Sequence, residues 1–268
     1  MNYAIIGGDA RMAYLAKLMK SRGDRVQCLE RSEELSEPEA SRALKGVDGA
    51  ILNWPPRLRG TVSWEALRDA LPEHAMIYCC GPKHPEAADE RIVDLWTDEQ
   101  LLRDNAWLTA EGAVSAAMRA GATAMRGLRA MVIGWGRIGA ALTELLTGIG
   151  AKVTVASRSE TGRHRAIERG AEAVDTKTIE KALPNQKLIF NTAPAMVLNA
   201  DRMKDVDRDA MMIDLASMPY GIDLRAAWQN GLRAWREPGV PGRYCPESAA
   251  EAMLRALERA EKEAKAHD

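Results

Sequence analysis

The chain has 268 residues, 46% hydrophobic and 28% charged, with 37 Lys+Arg against 38 Asp+Glu for a net charge of −1. That length and composition allow one large or two modest packed domains, and the balanced charge excludes the broad basic field of a nucleic-acid binder. No apolar run approaches the ~18 residues of a membrane-spanning helix. Met1-Asn2-Tyr3-Ala4-Ile5-Ile6 runs straight into a strand, without the basic region and apolar stretch of a secretion signal. The four cysteines form no C-x-x-C and no metal-ligand spacing, which points to a reducing cytoplasm and to no metal site.

Tyr3-Ala4-Ile5-Ile6 reads as a buried strand, closed by Gly7-Gly8-Asp9-Ala10-Arg11. Met12, Leu15, Ala16, Leu18 and Met19 then recur at helical spacing, and Arg25 to Leu29 is a second strand. The turn of this β-α-β unit is not G-x-G-x-x-G, so Arg11 is read as an anion contact or as a solvated first-turn arginine. Residues 31 to 46 are polar, with room for a short helix. Gly49 to Leu52 is a third strand, stopped by Asn53-Trp54-Pro55-Pro56, and a helix follows from Trp64 to Leu71. Ala75 to Cys79 and Ile92 to Leu95 are further strands. Between them, Gly81-Pro82-Lys83-His84-Pro85 places His84 near the edge where open α/β sheets bind ligands, as a general acid–base candidate or as surface decoration. Asp98 to Asn105 reads as one helix. Thr109-Ala110-Glu111-Gly112 opens another, with Thr109 as its N-cap, connecting two domains.

The second half turns on Gly134-Trp135-Gly136-Arg137-Ile138-Gly139, set between the apolar run Ala130–Ile133 and a helical stretch to Gly148. A strand, a glycine turn, a helix and the strand Lys152–Ala156 in sequence are the context in which G-x-G-x-x-G signifies dinucleotide binding. Gly134 permits the sharp turn, Gly136 leaves the backbone open to a pyrophosphate, and Gly139 lets helix and strand pack closely. NAD sites usually place Asp or Glu at the end of the next strand, whereas this chain has Ser157-Arg158-Ser159. An Arg between two hydroxyls suits a ribose 2′-phosphate, so the cofactor expected is NADP. Helices follow at Thr161–Arg169 and Thr176–Leu183. The strand Leu188–Phe190 ends at Asn191-Thr192-Ala193-Pro194, where the dinucleotide ribose passes. The next strand, Met211 to Leu215, leads to Ser217, and Leu232 to Trp235 is the last. A turn-rich segment through Gly242 and Arg243 and an amphipathic helix over 246–265 close the chain. The expected architecture is α/β, two Rossmann-like doubly wound parallel-sheet domains joined by a connector helix. Residues 1–110 form the substrate or partner domain, and 111–268 the NADP-binding domain with the closing helix.

Taken together, several stretches carry a resemblance. They are Ile6 to Arg11, Thr109 to Gly112, Gly134 to Gly139, Ala156 to Ser159, Asn191 to Pro194, Ile213 to Ser217 and Pro238 to Gly242. In this order they resemble the family of the dipicolinate synthase A subunit of spore-forming bacteria. The resemblance implies an NADP-linked oxidoreductase of the mother-cell cytoplasm, working with the flavoprotein-like B subunit of dipicolinate synthase. Its substrate would be a cyclic dihydro- or hydroxytetrahydrodipicolinate intermediate of the lysine pathway, and its product pyridine-2,6-dicarboxylate. The loops Asn53–Thr61, Tyr78–Pro82 and Met218–Tyr220 depart from the family pattern.

A ring dicarboxylate needs cationic, hydroxyl or N–H partners. Arg11 and Arg243 are the carboxylate candidates, with Gly8, Asp9, Thr109, Ser217 and Gly242 as neighbouring contacts. Glu111 and His84 are the candidates for taking the proton. Two other readings stay open: a different NADP dehydrogenase of a small carboxylate, and a non-catalytic NADP-binding regulatory protein. Self-association is left open.

Overall fold

The computed structural model describes residues 1–29, 37–53, 64–80, 89–121 and 124–267. The chain divides into two compact units, Met1–Asn105 with Cys245–Asp268, and Ala106–Tyr244.

The first unit contains β1 (Asn2–Ile6), α1 (Ala10–Ser21), β2 (Arg25–Leu29), α2 (Glu37–Leu44), β3 (Gly49–Asn53), α3 (Trp64–Ala70), β4 (Met76–Cys80) and β5 (Ile92–Asp94). All its strand pairs are parallel, in the order β2-β1-β3-β4-β5. A parallel sheet is covered on both faces, which is why β1 is apolar at successive positions. Tyr3 and Ile5 face one core with Met12, Leu15 and Met19, while Ala4 and Ile6 face the other with Leu44, Leu52 and Ile77.

The closing helix, here from Pro246 to His267, belongs to this unit and not to the second domain as its place in the sequence suggests. Its apolar stripe Ala250, Met253, Ala256 and Leu257 packs with Leu15 and Met19 in the first core. Polar contacts fix it further. Arg259 pairs with Asp98, Arg255 with Asp104 and Arg22 with Glu261, and the Tyr3 hydroxyl donates to Glu261. These partners lie more than a hundred residues away in sequence, so local pattern carried no sign of them.

The division of the chain falls within α4 (Glu99–Gly121). Leu101 sits in the first unit's core, and Ala106, Ala110, Ala113, Val114 and Ala117 in the second's. The sequence suggested two helices with Thr109 as a cap. Instead one helix runs through, because Asp98 caps its start by accepting from Leu101 N at 2.7 Å. Thr109 is buried in the helix interior.

The second unit adds β6 (Arg129–Ile133), α5 (Arg137–Gly148), β7 (Lys152–Ala156), α6 (Glu160–Glu168), β8 (Glu172–Val174), β9 (Leu188–Asn191), β10 (Met211–Asp214), α7 (Leu224–Gln229), β11 (Arg233–Arg236) and α8 (Val240–Tyr244). Its parallel sheet has the order β11-β10-β9-β6-β7-β8. Counted from β6, that is 6-5-4-1-2-3, the doubly wound dinucleotide-binding order whose switch point lies between β6 and β9. The helix expected over Thr176–Leu183 is a 3-10 segment, Thr176–Lys181. Asp175 accepts from Lys177 N at 2.8 Å, and Thr178 leaves helical geometry, so local side-chain bonding displaces a regular α-helix.

Candidate dinucleotide site and strand-end loops

The turn after β6 sits at the switch point, and its glycines are not equivalent. Gly134 has φ 102°, and a Cβ there would lie 2.6 Å from Thr192 Oγ1. A Cβ on Gly139 would lie 2.3 Å from Gly134 O, so helix α5 can approach the strand only with glycine here. Gly136 is the opposite case. It is exposed, and a Cβ there would meet nothing within 4 Å. It is also the N-cap of α5, with no side chain capping the helix. Two glycines close the turn, and the middle one leaves free space over the first N–H groups of the helix. Those groups and the helix dipole suit a pyrophosphate, so the residues present fit a dinucleotide.

Thr192 joins the ends of β6 and β9. Its N–H and its hydroxyl both donate to Ile133 O, at 2.8 and 2.9 Å. Trp135 is half-buried against the core, with the Arg169 guanidinium 5.5 Å from its ring centroid. Arg137 is exposed at the first position of α5, and Ile138 packs on the core.

At the end of β7, Ser157 is buried and Ser159 caps α6 by accepting from Gly162 N at 3.2 Å. Ser157 Oγ accepts from Ser159 N, also at 3.2 Å. The turn is braced by Arg163, whose Nη1 donates to Ser157 O at 2.8 Å, to Arg158 O at 3.0 Å and to Asp175 at 3.1 Å. Arg158 points outward, and its guanidinium has no partner among the described residues.

Asn191 and Asp214, at the ends of β9 and β10, are both buried. Asn191 Nδ2 donates to Asp214 Oδ1 at 2.7 Å and to Ala193 O at 3.0 Å. Asp214 also accepts from the N–H groups of Ala216, Gly221 and Ile222 at 3.1, 3.0 and 3.0 Å. The carboxylate thus folds the loop 215–221 back on itself. Gly221 is obligatory because a Cβ would fall 2.3 Å from Asn191 Nδ2. Asn191, expected as a cofactor contact, is an internal brace of this edge. Ala193 is half-buried and Pro194 exposed in the turn beyond it.

The expected substrate residues fall in both units. Arg11 is committed to Asp9, with Nε and Nη2 each 2.8 Å from a carboxylate oxygen. Burial works to raise the Asp9 carboxyl, but the Arg11 hydrogen bonds and charge outweigh it and hold the group below the usual carboxylate range. Gly8 and Asp9 line a pocket of about 330 Å³ with Gly7, Met12 and Cys28. Arg243 is exposed and bonded to the buried Glu237, which also accepts from Trp235 Nε1 at 2.9 Å. Neither arginine is the uncommitted cation that the sequence suggested. Gly242 is buried inside α8, Ser217 is exposed on the loop after β10, and Glu111 is exposed on α4. His84, Trp54 to Thr61 and Gly81 to Pro85 lie outside the described residues. Among the described residues no cluster of His, Cys, Asp and Glu could hold a metal ion. Sequence reasoning missed Asp214 as the organiser of this edge, although an acid closing the apolar run Met211-Met212-Ile213 was a usable signal. It also missed Arg236 and Tyr220, whose ring centroid lies 3.8 Å from the Arg236 guanidinium carbon.

Residues 93–217 match the family described as D-isomer specific 2-hydroxyacid dehydrogenase, NAD binding domain. A curated relative, the A subunit of dipicolinate synthase from Bacillus subtilis, is 27% identical over 172 residues, covering 64% of this chain and 58% of that protein. The chain is similar to the A subunit of dipicolinate synthase. The aligned part spans less than two thirds of that relative's length. In fold the likeness extends further. The crystal structure of the A chain of dipicolinate synthase from Bacillus subtilis matches with a TM-score of 0.81 at 22% identity, over 100% of this chain and 98% of that one. The corresponding protein of Bacillus halodurans matches with a TM-score of 0.79 at 23% identity, over 97% of each chain. Salmonella D-lactate dehydrogenase shares the two-sheet build with a TM-score of 0.66 at 16% identity, over 97% of this chain and 96% of that one. The α/β architecture of two Rossmann-like parallel sheets is thereby established, and the second unit is similar to an NAD binding domain. No helix among the described residues is long and apolar enough to cross a membrane.

Proposed function

We propose that the chain is an NADP-dependent oxidoreductase of dipicolinate synthase type, oxidising a cyclic dihydro- or hydroxytetrahydrodipicolinate to pyridine-2,6-dicarboxylate. The observation that carries the redox reading is the turn at Gly136, open above a helix N-terminus without a side-chain cap at the switch point of the second sheet. The preference for NADP rests on Arg158, which stands at the end of β7 with its guanidinium uncommitted where an NAD enzyme has a carboxylate. The substrate reading rests on the similarity to the A subunit of dipicolinate synthase.

A nicotinamide bound at this site supplies the hydride acceptor. The chain's own residues do the rest. Gly134, Gly136 and the first turn of α5 would seat the pyrophosphate, Arg158 would meet the 2′-phosphate, and the brace between Asn191 and Asp214 holds the strand-end loops still. The dihydro ring, which the hydroxytetrahydro form reaches by losing water, gives up a hydride and a proton. Aromatisation supplies much of the driving force, so a weak base or water suffices to take that proton. The partner would be the flavoprotein-like B subunit, and the setting the mother-cell cytoplasm of a sporulating bacterium.

A second reading, a dehydrogenase of another small carboxylate, draws on the match of residues 93–217 to a 2-hydroxyacid dehydrogenase domain. An NADPH-formation assay separates the two. The purified chain, with and without the flavoprotein-like partner, should reduce NADP with the cyclic lysine-pathway intermediate and not with D-lactate. Turnover of D-2-hydroxy acids alone would establish the second reading. NADP binding without turnover of either would leave a regulatory role.

A further inference from the structure

The two arginines expected to bind the substrate carboxylates are occupied, Arg11 by Asp9 and Arg243 by Glu237. Arg236 is not. It ends β11, it is exposed, and its guanidinium has no hydrogen bond or ion pair among the described residues. It lies over the Tyr220 ring, with 3.8 Å from guanidinium carbon to ring centroid. A guanidinium laid on an aromatic face is held by cation–π attraction and keeps its N–H edge free for an acceptor in its plane.

The backbone that carries the ring is itself fixed. Tyr220 has φ 65°, a left-handed conformation rare for a bulky side chain, and its N–H donates to Ser217 O at 2.9 Å. The next two residues, Gly221 and Ile222, both donate to the buried Asp214 carboxylate. Asp214 is also the residue that faces Arg236 in the register of β10 with β11. The edge strand and the loop are thus tied at one point, and the stacked pair is preorganised.

Its position gives it a ligand class. The sheet order places β7 and β8, with Arg158, on one side of β6, and β9, β10 and β11 on the other. A dinucleotide crossing the switch point with its adenosine over β7 lays its nicotinamide on the β9 side. A cation at the carboxyl end of β11 therefore stands in the half where a substrate must meet the nicotinamide. We infer that Arg236, stacked on Tyr220, is the anion anchor of the second unit and takes one carboxylate of a small planar dicarboxylate substrate. The inference rests on the proposed redox reading and adds to it the residue that reads the substrate's charge.

The test is calorimetric titration of pyridine-2,6-dicarboxylate into NADPH-loaded protein. Arg236→Met keeps the apolar stem and should weaken the dicarboxylate about ten- to a hundredfold, the range for a lost charged hydrogen bond, with NADPH affinity and thermal melting unchanged. Arg236→Lys should recover only part of that loss, because an ammonium cannot present the planar fork. Tyr220→Phe should behave as wild type, and Tyr220→Leu should fall between. Equal dicarboxylate affinity in the wild type and folded Arg236→Met overturns the anchor and leaves the redox reading standing. A wild-type protein that binds NADPH but neither pyridine-2,6-dicarboxylate nor oxalate overturns the carboxylate-substrate reading and the anchor with it.

Discussion

Asn191 donates to Asp214 at 2.7 Å in a place that water does not reach, so the ends of β9 and β10 are locked by a side-chain pair as well as by the backbone ladder. The aspartate has no arginine or lysine partner among its hydrogen bonds; amide groups alone satisfy it. Replacing it with alanine strands all of those donors. Asp214→Ala should cost at least about 3 kcal/mol in urea unfolding, since each buried unsatisfied group costs roughly 1–3 kcal/mol. Asp214→Asn keeps the shape but turns one acceptor into a donor facing N–H groups, and should lose about 2 kcal/mol. Wild-type stability in both variants would show that the loop is held by something else.

The glycine turn makes a sharper pair of predictions because its members differ in free space. Gly136→Val adds a side chain where nothing lies within 4 Å. It should change stability by under about 1 kcal/mol while abolishing dinucleotide binding, because the branched group takes the pyrophosphate's place. Gly139→Ala puts a Cβ 2.3 Å from a backbone oxygen that cannot move cheaply. It should destabilise the second unit by about 1–3 kcal/mol as an overpacked contact does. Circular dichroism melts and NADP calorimetry on both variants would check this. NADP binding by folded Gly136→Val would remove the assigned site.

Much of this turn was legible from the sequence, and the reason is locality. Strand, glycines and helix lie within about thirty residues, and their periodicity and turn chemistry are written in order. The same holds for the first β-α-β unit. What was not legible depends on which partner each polar group finds once the chain has folded. Arg11 and Arg243 read as free cations because Asp9 and Glu237 were not seen as their acceptors. Thr109 read as a cap because Asp98, in an earlier turn, had already begun the helix. The brace that Asn191 makes was not legible because its acceptor, Asp214, stands at the end of the following strand.

Cofactor choice should depend on Arg158 directly and on Arg163 indirectly. Arg158→Asp should weaken NADP by at least about tenfold, through repulsion and loss of a charge-assisted contact, and should spare or improve NAD. Arg163 touches Ser157 O and Arg158 O, so it sets the turn that presents Arg158. Arg163→Met should therefore lower the NADP/NAD affinity ratio in the wild type but have little further effect on that ratio in Arg158→Asp. Fluorescence titration of both cofactors into the single and double variants measures this cycle. Equal losses for NADP and NAD in Arg158→Asp would show that this arginine does not read the phosphate.

The terminal helix supplies a pH signature. Tyr78 is pushed up to about 12, first by burial and then by the Glu261 carboxylate, with Arg22 acting in the opposite direction. Tyr3 is raised as well, by burial, by its hydrogen bond to Glu261 and by that carboxylate's charge. The other charges facing this group are Asp24 and Glu258, both paired with Arg22. In the unfolded chain a tyrosine ionises near pH 10. Between that value and the folded one, the unfolded state has lost the proton and the native state still holds it. Stability is therefore fully present below about pH 10 and falls as pH rises through about 12. The Tyr78 share amounts to about 2–3 kcal/mol, from roughly two pKa units at 1.36 kcal/mol each. Urea unfolding of the whole chain as a function of pH, with phenolate absorbance as a second probe, should show this alkaline loss. In Tyr78→Phe the slope above pH 10 should be shallower, even if the variant is less stable at neutral pH. An identical slope in wild type and Tyr78→Phe would mean that the buried phenol does not govern the alkaline limit of this unit.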